Sequence, residues 1–141
     1  MAITAPFREA VPGDISTYDV YGDLTDKEYC AVQLRSGSAR TVEAWTTGNM
    51  PVGILCNRPI AAASATSTKF STEALVQWRG KALVKTGSGG LAVGDLVKLT
   101  TDGVGVKADP DDHDIIIGQC EVGAAVGLPA TVRLNIGYVS V

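Results

Sequence analysis

From residue 130 the chain alternates without a break: Ala130, Val132, Leu134, Ile136 and Tyr138 interleave with Thr131, Arg133, Asn135 and Gly137. Side chains on a strand point to opposite faces in turn, so this period-two pattern predicts a half-buried strand. Weaker versions recur upstream. In "TEALVQWRG", Ala74, Val76 and Trp78 share one face, while Glu73, Gln77 and Arg79 mostly share the other. "KALVKT", "DLVKLT", "DGVGVKA" and "DIIIGQCEV" predict further short strands, and "TVEAWT" and "VGILC" flank the turn "TGNMP". "CAVQL" alternates as well, with Cys30, Val32 and Leu34 on one side and Ala31 and Gln33 on the other.

Other stretches are less regular. "TDKE" at 25–28 fits a capping box, with Thr25 as N-cap and Glu28 reaching back, so one helical turn is expected before that strand. A helix continuing through about Arg35 is the competing reading. "NRPIAAASATSTKF" reads either as a loop or as a weak helix over "IAAASA". The first 22 residues contain Pro6 and Pro12 and show neither a helical stripe nor sustained alternation. Their apolar members Ile3, Phe7, Val11, Ile15 and Val20 form no single face, which predicts an extended arm unable to bury them within itself. The expected organisation is therefore an arm over 1–22 and one β-rich domain over 23–141. Its class is all-β: a compact barrel or sandwich of about eight to ten short strands with one short helical turn. The 16 glycines, without a collagen period, fit the many tight turns such a fold requires.

Composition narrows the function classes. At 45% hydrophobic and 19% charged residues, 141 residues suffice for a core without metals or disulfides. A net charge of −3 with scattered Lys and Arg argues against a nucleic-acid partner. No run approaches the about 18 apolar residues that span a bilayer, and "MAITAPFREAVPGD" lacks the pattern of a signal peptide. A soluble protein made in a cytosol is expected, with no membrane partner. Cys30, Cys56 and Cys120 are widely spaced and form no C-x-x-C pair, so they read as reduced, buried hydrophobes.

Candidate chemistry is sparse. "KTGSGGLAVGD" at 85–95 superficially resembles a phosphate loop, but no lysine follows its glycines, and "DLVKLT" beyond it alternates as a strand where a phosphate loop would open a helix. Asp109, Asp111, Asp112, His113 and Asp114 gather oxygen ligands, yet the glycine and spacing of a calcium loop are missing, so an exposed acidic turn is the alternative to a metal site. His113 is the single histidine and has no nucleophile elbow beside it. No catalytic, cofactor or metal residue is assigned, and no enzyme activity is expected. Trp45 and Trp78 read as anchors of the core or of a subunit interface. In the arm, Ile3, Pro6, Phe7, Val11 and Ile15 are the candidates for binding a partner, against the alternative that the first dozen residues are disordered.

The stretches "VGILCNRPI", "ALVQWRGKALVKTGSGGLAVGDLVKLTTDGVGVKA" and "IIIGQCEVGAAVGLPATVRLNI" together form a frame. Over residues 22–136 it resembles small tailed-phage head proteins once grouped as a domain of unknown function, with the pattern G-V-L, G-x-x-x-V, G-D-x-V, D-G, G-x-A and V-x-L. The matching positions are Pro51 to Leu55, Gly80 and Val84, Gly94, Asp95 and Val97, Asp102 and Gly103, then Gly118, Val132 and Leu134. These are framework positions and name no binding residue; "GQCEVGAAVG" departs from the family's alanine-rich run. The resemblance implies a capsid decoration or cement protein that binds the outside of an assembled head and locks neighbouring major capsid proteins together. It also implies a homo-oligomer, a trimer favoured and a dimer as the alternative. The other function class left open is a β-barrel module binding carbohydrate or another small ligand through exposed aromatic residues.

Overall fold

A computed structural model describes residues 14–62, 71–109 and 115–138. Ten strands follow in chain order among them: β1 Ile15–Val20, β2 Ala31–Leu34, β3 Thr41–Ala44, β4 Gly53–Leu55, β5 Glu73–Gln77, β6 Gly80–Lys85, β7 Leu96–Thr100, β8 Val104–Lys107, β9 Ile115–Val122 and β10 Pro129–Tyr138. The fold is all-β, as the alternation predicts. The first five strands close a barrel in the order β1-β3-β2-β4-β5. Closure is made by β1, antiparallel to β5 and parallel to β3. The last five form an antiparallel sheet in the order β6-β10-β9-β7-β8. A bridge between Thr86 and Gly105 brings its two edge strands together, with the Gly87 amide donating to the Gly105 carbonyl (2.8 Å). Closure and bridging leave little open edge for unwanted pairing.

Two cores result, and β2 and β4 stand between them. Val32 and Leu55 face the barrel interior beside Val20, Val42, Ala74 and Val76. Their neighbours Ala31 and Ile54 point the other way and pack with Val84, Val97, Ile117 and Val132 of the second sheet. Both faces of these strands are thus apolar, which explains why Cys30, Ala31, Val32 and Gln33 are buried in succession. "CAVQL" does not have the one wet face that its alternation suggests. Leu34 ends the strand 55% exposed.

The end of the segment expected to be an arm is a strand, and residues 1–13 lie outside the described residues. Residues 15–20 form β1, a full member of the barrel in register with Gln77 to Glu73 of β5. Its inward side is carried by Ser16, Tyr18 and Val20, so the half-buried face is mostly polar and the apolar pattern does not reveal it. The segment 25–28 is a pair of ordinary turns rather than a helical turn. Asp23 takes the capping role: its carboxylate accepts from the Thr25 amide (2.9 Å) and hydroxyl (2.6 Å). Tyr29, with φ +68°, then turns the chain into β2, so a helix through Arg35 does not form. A 3-10 turn lies instead at Thr101–Gly103. In "IAAASA", Ile60 pairs with Asp23 in an isolated bridge, and residues 63–65 lie outside the described residues.

Candidate partner-binding surfaces

The glycine-rich run is a connector stitched at both ends. After β6, Thr86 bridges to Gly105; Gly89 and Gly90 take left-handed conformations (φ +89° and +71°), as a tight reversal requires. Leu91 then pairs with Ala124, and the Asp95 carboxylate accepts from the Ala92 amide (2.9 Å), closing a turn into β7. The chain passes from strand to strand, so no helix N-terminus faces the glycines and the geometry of a phosphate loop is not built. Lys107 approaches Asp95 at 3.9 Å.

The sequence-predicted site residues scatter. Ile3, Pro6, Phe7 and Val11 lie outside the described residues, as do Asp111, Asp112, His113 and Asp114. Ile15 stands on the outer face of β1, 48% exposed. Trp45 is buried in the second core, its indole N–H donating to the Asn49 carbonyl (2.7 Å). Its ring packs in that core. Trp78 is more open, with the Arg79 guanidinium 5.2 Å from its ring. Burial raises the thiol pKa of Cys30, Cys56 and Cys120 above the ordinary value, which disfavours the thiolate that nucleophilic or redox chemistry needs.

One polar site escapes the sequence reading. Gln33 on β2 is only 6% exposed. Its amide nitrogen donates to Glu43 (2.8 Å), and its amide oxygen accepts from the Thr46 amide (2.8 Å) and from Asn49 (3.2 Å). Glu43 also accepts from Arg35 (2.9 Å), whose guanidinium stacks 3.4 Å from the Tyr21 ring centroid. Beside this network opens a cleft of about 560 Å3 walled by Leu34, Met50 and Val52. A glutamine between apolar neighbours on a central strand is the signal that could have found it, because a buried amide demands several partners at once.

The outer face of the second sheet carries a further network. Glu121 accepts from Arg133 Nε (2.6 Å) and lies 3.1 Å from Lys81 Nζ. The hydrogen bond from Arg133, then that from Lys81, holds its carboxyl below the usual range.

The fold as a whole has a known counterpart. It is similar to the solved structure of the head fiber gp8.5 N base of bacteriophage phi29. The likeness covers 86% of this chain and 92% of that one at a TM-score of 0.56. At 16% identity it is the fold that the two share. No protein-family model matches the chain, and no curated protein matches it. The likeness bears on the fold, and the particular decoration group read from the sequence has no matching family model.

Proposed function

We propose that this chain is a non-catalytic structural protein of a phage head, carried on the outside of the capsid, where it decorates or cements contacts between major capsid proteins. The observation that carries the reading is the likeness to a head fiber base over 86% of the chain. The residues before β1 supply the docking element: Ile3, Pro6, Phe7 and Val11 precede a barrel whose interior is already filled by its own strands. Affinity comes from multiplicity, since several copies on one lattice turn later binding events into intramolecular ones. The protein is made in the host cytoplasm, acts as a homo-oligomer with a trimer favoured, and needs no cofactor.

Co-sedimentation with capsids lacking the protein tests this. Saturable binding to mature shells is expected; absence of binding at every maturation state, with the protein folded, rejects the reading.

A further inference from the structure

Two outward faces of this molecule carry the same two-by-two pattern with opposite charge. On the barrel, β1 and β5 set Asp19 opposite Glu73 and, one side-chain row along, Thr17 opposite Leu75. On the second sheet, β6 and β10 set Arg133 opposite Lys81 and, one row along, Thr131 opposite Leu83. All four charged residues are exposed, and the two leucines are 39% and 43% exposed. Partners in an antiparallel ladder project to the same side, so each set of four forms one patch.

Like charges placed directly opposite each other destabilise a sheet. On the second sheet Glu121 relieves the repulsion by bonding both cations. On the barrel nothing does so among the described residues. Arg40 lies at the rim, but its guanidinium donates to the Thr17 carbonyl (3.1 Å) and pairs with neither carboxylate.

We propose that the β1/β5 face of one copy packs on the β6/β10 face of a second copy of this chain. Rows on a strand are about 7 Å apart and strands about 5 Å apart, so the two patches have the same dimensions. Laid on one another in the sense that sets the carboxylate row over the cation row, the two patches also bring each leucine–threonine row onto its counterpart. Lys81 and Arg133 keep donors beyond those that Glu121 uses, because an ammonium has three and a guanidinium five. Each copy offers one face of each kind, so the contact is heterologous and can close into a ring. It requires no capsid, and it stands or falls separately from the head-surface reading.

Sedimentation velocity of the purified chain over a concentration series tests it. The wild type self-associates, and added salt weakens the association. D19K/E73K and K81E/R133E each raise the dissociation constant at least about tenfold. An equimolar mixture of the two regains association, because the reversed rows match again. K81E/R133E also strips Glu121 of its partners, so L83E serves as a second probe; it weakens association by a similar factor while its thermal melt stays that of the wild type. A wild type that remains monomeric up to its solubility limit overturns the proposal. So does a folded L83E that associates as the wild type does.

Discussion

At Gly118 the second sheet has no room for a methyl group. A Cβ there would run into the Arg133 carbonyl of β10, and the ladders to both neighbours shift register close by, after Val97 on β7 and after Leu134 on β10. The glycine lets two bulges share one place at the middle of the sheet. Gly118→Ala is expected to cost about 3 kcal/mol, read as a lower midpoint in urea with an unchanged slope. Thr86 is the opposite case. It is 1% exposed, and its hydroxyl has no hydrogen-bond partner among the described residues, although its backbone amide and carbonyl are bonded to Leu128 and Gly127. Valine has the same shape without the buried hydroxyl, so Thr86→Val should stabilise by about 1 kcal/mol and raise the melting temperature by about 3 °C. At Glu121 the prediction concerns pH. A carboxyl whose folded pKa lies below its unfolded value adds stability that is present above the unfolded value and lost as pH falls through the folded one. Carboxyl-resolved NMR should therefore place its midpoint below that of an ordinary glutamate, and Arg133→Ala should move it up. A midpoint at the ordinary value in the wild type contradicts the network described.

At the scale of the element, alternation finds strands where one face is wet and misreads them where it is not. β10, β5 and β6 stand out in the sequence because Ala130, Val132 and Leu134, Ala74 and Val76, and Ala82 and Val84 are buried while their neighbours are largely exposed. β2 reads as a strand from its alternation, but its two buried faces do not show there, because burial against a second sheet is a tertiary fact. β1 leaves no such pattern, because Ser16 and Tyr18 occupy inward positions that a hydrophobicity count scores as polar. Of the Gln33 network the sequence shows only the polar residue set between apolar neighbours, since its partners at 43, 46 and 49 come together only when β2 and β3 pair. The corrected boundary changes what a truncation should do. Removing residues 1–13 leaves every ladder described here intact; removing 1–20 deletes the strand that closes the barrel and the core residue Val20. The shorter deletion is expected to keep the wild-type melt and lose capsid binding, and the longer one to unfold. Circular dichroism and co-sedimentation on the two truncated chains separate these outcomes, and undiminished capsid binding after the shorter deletion would remove the docking role from Ile3, Phe7 and Val11.

Over the whole molecule, the barrel and the second sheet do not own separate cores. Ala31, Trp45 and Ile54 belong to barrel segments by sequence yet pack with Val97, Ile117 and Val132. Removing the second sheet would leave these side chains in water, and removing the barrel would uncover the inner face of the sheet; each half therefore depends on the other for burial of its apolar surface. Such mutual dependence predicts one cooperative unfolding transition rather than two. Leu55→Ala lies wholly on the barrel side and Val132→Ala on the sheet side, both at 0% exposure. Either should lower a single shared midpoint, Leu55→Ala by about 2–5 kcal/mol and Val132→Ala by somewhat less. Trp45 sits in the shared core, so its fluorescence in a Trp78→Phe background reports from the joint between the halves while far-ultraviolet circular dichroism reports on all strands. The two signals should coincide in both variants. If Leu55→Ala instead melts the barrel early while Trp45 retains its native emission, the halves are independent units. A lattice-bound protein would gain from the coupled arrangement, because force applied at one face is then resisted by the stability of the entire chain.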